Sequence, residues 1–353
     1  MHQPDLFTNH PDVAIGRTKD LERQRAAGAG MRTLVHMDTP DHSKYRKLTA
    51  DWFKPGSLGR LQPRLDQLST QTIDRMIALG GSCDFANDVA VWYPLQVILA
   101  ILGLPESDYG RMLELTQEFF GSGTSSKGKR GIDEVIAAVQ DMFAYFLRTA
   151  EDRRANPTDD LATLIANGLI DGTQIPDRET ISYYIIVATA GHDTTSSSIS
   201  GGLQALIENP RQLALLKANP ALLNGAVDEM IRYVSPARHF MRTAQEDTTI
   251  AGFDVNKGDW IYLSYLAANH DPELFGNPHA FDITRTNADK HLAFGFGTHF
   301  CLGAQLARME LRTLFRDLIP RLEHVELSEP PTSAATTVVG GPKTLKINYE
   351  MTK

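Results

Sequence analysis

Residues Phe294-Gly295-Phe296-Gly297-Thr298-His299-Phe300-Cys301-Leu302-Gly303 form a glycine-rich turn that sets one cysteine just ahead of a helix. Gly295 and Gly297 permit tight backbone geometry and the close approach of a flat ligand. The helical pattern Leu306, Met309, Leu311, Leu314, Phe315 begins just beyond Cys301. A sulfur placed there meets free backbone N–H groups and the positive end of the helix dipole, both of which favour a thiolate. A lone cysteine is ordinarily an inert small core residue. The spacing F-G-x-G-x-H-x-C-x-G around Cys301 weighs against that and points to an anionic sulfur that binds something.

The bulk properties narrow the setting. At 353 residues the chain is longer than a usual domain of ~50–250 residues, yet no Pro/Gly/Ser linker or charge run divides it, so one large domain is expected. With 42% hydrophobic residues it can bury a substantial core, and 35 basic against 43 acidic groups argue against nucleic acid as a partner. Only Cys83 and Cys301 occur, which suits a reducing compartment and no disulfide framework. The amino terminus Met1-His2-Gln3-Pro4-Asp5 has neither the basic flank nor the apolar run of a secretion signal, and a cytoplasmic protein is expected. Ile185 to Ile207 is long and poor in charge, but His192, Asp193 and Ser196 to Ser198 make it too polar for lipid. A helix buried in a protein core is the better reading, with no membrane partner.

Periodicity predicts a mainly α fold, with helices at Leu61–Leu79, Val89–Leu102, Ser107–Phe120, Ile132–Arg154, Asp160–Asn167, Asp177–Glu208, Pro210–Ala218, Ala221–Val234 and Cys301–Arg316. Short strands are expected at Thr249–Ile250, Trp260–Leu263, near Val338 and at Leu345–Tyr349, and a mobile loop at 121–131. The helix from Asp177 would run roughly 45 Å at ~1.5 Å per residue, long enough to cross a domain and pass over a central ligand.

Within that helix lies Ala190-Gly191-His192-Asp193-Thr194-Thr195. A helical Thr commonly bonds its own preceding carbonyl, and Asp193 could be a polar residue beside a crevice. Gly191 and two hydroxyls equally allow the helix to open and admit a diatomic ligand. Taken with the cysteine loop, the segment resembles the cytochrome P-450 family, and the resemblance runs from about Leu6 to the carboxyl end. It is closest to bacterial monoterpene (α-terpineol) hydroxylases, through Trp52-Phe53-Lys54-Pro55, the long-helix segment, Phe240-Met241-Arg242-Thr243-Ala244 and Val339-Gly340-Gly341-Pro342-Lys343.

That resemblance implies a cytochrome P-450 fold over residues 1–353, a helical haem-binding domain with small β-sheets. It implies haem b ligated by Cys301 and cradled by Phe294, Gly295, Gly303 and Ala190, with His42, Arg46, Arg242 and His299 as cationic partners of the propionates. It assigns Thr194 to hydrogen-bonding of dioxygen and Asp193 to proton delivery through water. Ile186, Thr189, Phe240 and Val338 would face the substrate. Glu229 and Arg232, an i,i+3 pair, would join Arg285 beneath the haem.

The implied activity is monooxygenation of a small lipophilic substrate, a terpenoid or aromatic hydrocarbon, with O2. Electrons would come from a ferredoxin and ferredoxin reductase, because no flavin or dinucleotide glycine fingerprint and no iron–sulfur cysteine set occurs in the sequence. Lys44, Arg46, Lys47 and Lys54, with Arg308, Arg312 and Arg316, would offer an acidic ferredoxin a basic face. Rival readings are a peroxide-driven fatty-acid or steroid hydroxylase, which the Asp193-Thr194 pair argues against, and a non-catalytic haem or lipophile carrier, which would not need that pair. Relatives usually carry more residues ahead of the match to Pro11-Asp12-Val13. A reduced sheet, with an edge near Thr249 to Leu263 left unpaired, is therefore expected.

Overall fold

Apolar residues at three- and four-residue spacing build most of the chain into helices. The computed structural model describes residues 3–9, 13–15, 32–120, 132–333, 336 and 338–352. Its helices are α1 (Asp41–Ala50), α2 (Pro55–Leu58), α3 (Gln62–Ala78), α4 (Trp92–Ile101), α5 (Tyr109–Phe120), α6 (Ile132–Ala155) and α7 (Leu161–Ala166). There follow α8 (Asp177–Glu208), α9 (Pro210–Ala218), α10 (Leu223–Val234), α11 (Tyr265–Asn269) and α12 (Ala304–Leu318). The loop expected at 121–131 and part of the Pro11-Asp12-Val13 match lie outside the described residues.

The 32-residue α8 packs against α4, α6, α10 and α12. Pro176 precedes it, and Pro210 opens α9 two residues after its end, so both boundaries are steric. The hydroxyls of its polar middle bond carbonyls one turn back: Thr189 to Ile185, Thr194 to Ala190, Thr195 to Gly191, Ser198 to Thr194. Among the described residues no helix is long and apolar enough to cross a membrane. A Cβ at Gly201 would come within 2.6 Å of Val234, and one at Gly202 within 2.9 Å of the Met230 sulfur. Those two glycines therefore let α10 press directly onto α8.

The strands are β1 (Phe7–Thr8), β2 (Ser82–Asp84), β3 (Leu169–Ile170), β4 (Thr173–Gln174), β5 (His239–Ala244) and β6 (Thr248–Ile250), followed by β7 (Phe253–Val255), β8 (Trp260–Ser264), β9 (Leu322–Leu327), β10 (Thr332–Ser333), β11 (Pro342–Thr344) and β12 (Lys346–Met351). All pairings are antiparallel, in small sheets ordered β1-β5-β8 and β2-β12-β9 and in two-stranded pairs β3-β4, β6-β7 and β10-β11. The edge expected bare near Thr249 to Leu263 is partly closed, since β6 pairs with β7 and β8 pairs through one side with β5. Among the described residues, Val338 lies in no strand, and its neighbour Val339 forms an isolated bridge with Ala237.

Most helix ends fall within two residues of the periodicity, and two starts differ in kind. A π-helical turn at Phe85–Ala90 leads into α4, so the expected start at Val89 falls inside a wider coil. α12 begins at Ala304, leaving Cys301 in the turn ahead of it, after a short 3-10 turn at Gly297–His299.

Candidate active site

A cavity of about 1430 Å³, its mouth included, lies between α8, α12, the start of β5 and the turn that carries Cys301. Gly295 and Gly297 adopt left-handed φ values of 71° and 75°, which side chains rarely tolerate, and the Cys301 N–H donates to the Phe294 carbonyl at 2.8 Å. Phe294, Gly295, Cys301 and Gly303 all line the cavity. The accessible surface of Cys301 belongs to a residue that borders this space, yet the protein packed around the sulfur still desolvates it. Burial therefore pushes its thiol up, against the opposing pull of the Gly303 N–H, Arg46 and Arg308. The turn alone does not make a thiolate; a bound cation would have to supply the remaining stabilisation. Cys83, by contrast, sits in the core with its thiol pushed up to about 12 by burial.

The cavity also gathers His42 and Arg46 from α1, Arg242 from β5 and His299 from the cysteine turn. Among the described residues no carboxylate pairs with Arg46 or Arg242, and the Arg242 guanidinium reaches only the carbonyl of Met241, at 2.8 Å. The rings of His42 and His299 lie 4.0 Å apart. Burial first, and neighbouring cations second, lower His42 to about 4 and His299 to about 3. Two guanidiniums without a carboxylate partner within ion-pair distance, flanked by two imidazoles that can donate, are a receptor for carboxylates, with Asp38 acting on Arg242 and His42 only at longer range.

On α8 the cavity is lined by Ile186, Ala190, Gly191 and Thr194, and Phe240 borders it from β5. Thr189 and Val338 do not line it. Five residues separate Thr189 from Thr194, which turns it roughly 140° around the helix at 3.6 residues per turn, and it is fully buried. Val338 lies in the segment that bridges to Ala237, where its carbonyl accepts from the Arg238 N–H at 2.9 Å. Asp193, about 100° from Thr194, also faces elsewhere. Its Oδ1 lies 3.1 Å from Nε2 of the fully buried His192, and its Oδ2 has no hydrogen-bond partner among the described residues. Burial raises the Asp193 pKa, with His192 opposing.

Outside the cavity lining, Glu229 and Arg232 are fully buried and doubly bonded, at 2.6 and 2.8 Å, and Arg285 reaches the same carboxylate at 3.2 Å. Arg232 also donates to the carbonyls of Asn269 and Pro278 at 2.7 and 2.9 Å. Asn269 in turn accepts from the Leu292 N–H at 2.6 Å, two residues before Phe294. The buried ions thus anchor the strand of chain that delivers the cysteine turn.

The family model described as Cytochrome P450 matches residues 96–349. The chain belongs to the cytochrome P450 family. It is 42% identical to Cytochrome P450-terp of a Pseudomonas species, over 98% of this chain and 84% of that protein. A steroid C26-monooxygenase of Mycolicibacterium smegmatis is 31% identical, over 98% of this chain and 79% of its own. The crystal structure of CYP108D1 from Novosphingobium aromaticivorans superposes with a TM-score of 0.91 at 43% identity, covering 99% of this chain and 84% of that one. The P450 fold and a monooxygenase activity follow from that membership.

The family implies a haem with a cysteine thiolate, and the residues fit one: a single sulfur facing the cavity, apolar walls, and the four basic side chains His42, Arg46, Arg242 and His299 for two carboxylates. Sequence reasoning missed Glu310. It lines the P450 cavity from α12, is 1% exposed, and has an Oε2 with no hydrogen-bond partner among the described residues; burial pushes it well above the usual carboxylate range. The signal was there, because Glu310 interrupts the apolar face of Leu306 and Leu314 at four-residue spacing. The expected basic face is largely neutralised. Lys44 pairs with Asp171, Lys54 with Asp51, Arg308 with Asp228 and Arg316 with Asp66, while Arg46 turns to the cavity.

Proposed function

We propose that this P450 hydroxylates a small lipophilic compound, a terpenoid or aromatic hydrocarbon, using O2, haem b and electrons from a ferredoxin and its reductase in the cytoplasm. The observation that carries the reading is the convergence of Cys301 and Thr194 on one cavity walled by Ile98, Ile186, Val187 and Phe240. Haem, held by Cys301, would supply the dioxygen-activating chemistry when bound. Arg46, Arg242, His42 and His299 bind its carboxylates and orient it. The apolar walls hold the substrate and keep water away. Gly303 N–H, Arg46 and Arg308 stabilise charge at the Cys301 sulfur. Thr194 presents a hydroxyl that bonds the Ala190 carbonyl at 3.0 Å and is free to redirect. Asp193, whose pKa burial raises against the pull of His192, is the carboxyl that delivers a proton toward Thr194 through water.

With Thr194→Ala, proton delivery is misdirected, so reductant consumption is expected to continue while hydrogen peroxide replaces product. Assay with a surrogate ferredoxin and a substrate chosen by spectral screening of terpenes, aromatics, steroids and fatty acids decides it. Unchanged product per reductant would contradict the role given to Thr194, and a spectral response confined to fatty acids or steroids would contradict the substrate class.

A further inference from the structure

Asn9 is 2% exposed and lines the cavity together with His299 and Arg242. It follows β1, whose Thr8 pairs with Thr243, so the sheet register sets it beside Arg242. Its backbone N–H donates to Asp38 Oδ1 at 2.8 Å, and its side-chain Nδ2 donates to the Val35 carbonyl at 2.7 Å and lies 3.3 Å from Nδ1 of His299. A carbonyl only accepts, so Val35 determines which end of the amide faces it; the flipped amide would set two acceptors against each other. The same nitrogen therefore presents its second hydrogen to His299, and Nδ1 of that ring must accept. The ring hydrogen then resides on Nε2, on the other side of the imidazole, while the His42 ring at 4.0 Å limits how far His299 can turn. This arrangement leaves Asn9 Oδ1 buried without a hydrogen-bond partner among the described residues. The hydrogen bonds that the Asn9 side chain does make are therefore those of its nitrogen.

We infer that Asn9 is a positioning residue that selects the His299 tautomer with its hydrogen on Nε2, making that nitrogen the donor available to a haem carboxylate. The inference rests on the haem reading above and deepens it. It also ties the N-terminal strand to the cofactor, since β1 sets the position of Asn9.

In the diamagnetic reduced carbon monoxide complex of the ¹⁵N-histidine-labelled holoprotein, the His299 ring, assigned by its absence in His299→Gln, is expected to show a bare Nδ1 and a protonated Nε2. Asn9→Ala is expected to mix the two tautomers and to speed haem loss to apomyoglobin about tenfold, the loss of one charge-assisted hydrogen bond. In the His299→Gln background the same change is expected to add nothing. A protonated Nδ1 in the unmodified holoprotein, or a tautomer unmoved by Asn9→Ala, would overturn the inference alone. So would equal acceleration of haem loss in both backgrounds. A chain that takes up no haem would overturn the haem reading and this inference with it.

Discussion

Replacing Glu229 with glutamine is expected to destabilise the protein by roughly 3–5 kcal/mol, enough to cost most of the bound haem during purification. The carboxylate is the single anion shared by two guanidiniums, at 2.6 and 2.8 Å from Arg232 and 3.2 Å from Arg285. It also accepts the Asp282 N–H at 3.0 Å. Removing its charge leaves two cations unmatched, one of them with no exposed surface, whereas Arg232→Met leaves Glu229 still paired with Arg285. Glu229→Gln should therefore be the more damaging of the two. The route to the site is direct, from Arg232 through Asn269 to the Leu292 N–H and so to the cysteine turn. Denaturant unfolding followed by circular dichroism checks it, and a loss below about 1 kcal/mol would contradict the account of this cluster.

Cys301→Ser is expected to bring turnover to background while changing the unfolding free energy of the haem-free chain by less than about 1 kcal/mol. The side chain packs against a cavity rather than filling the core, and the turn is held by the Cys301 N–H to the Phe294 carbonyl, which serine preserves. Cys83→Ser should do the reverse. Its side chain projects from β2 into the buried cluster and does not line the cavity, so the change costs stability and spares turnover. Turnover retained in Cys301→Ser would remove the sulfur from the mechanism.

Most of the architecture was legible because it rests on steric and periodic signals. The ends of α8 fall at Asp177 and Glu208 as the periodicity predicts, since Pro176 and Pro210 bracket them. Helix α1 escaped periodicity: only His42, Tyr45 and Thr49 are buried, and two of the three are polar, so His42 and Arg46 were found through family likeness instead. Phase around α8 explains the rest. Ile186, Ala190 and Thr194 share the cavity face, while Thr189, counted with them from the sequence, points into packed protein. Asp193 shows a subtler limit, because adjacency in sequence to Thr194 does not place both side chains in one space. The acidic partners of Lys44, Lys54 and Arg308, which are Asp171, Asp51 and Asp228, cannot all be matched to them from sequence. Asn9 and Glu310 depend on tertiary contacts across the chain and left weak local signals or none.

The central claim is that one cysteine, Cys301, presents a thiolate to haem iron. The absorption spectrum of the reduced carbon monoxide complex tests it most directly, recorded for the unmodified chain, Cys83→Ser and Cys301→Ser. The red-shifted Soret band of a thiolate ligand is expected in the first two and not in the third. An unshifted band in the unmodified chain, or its loss in Cys83→Ser with retention in Cys301→Ser, would contradict the account.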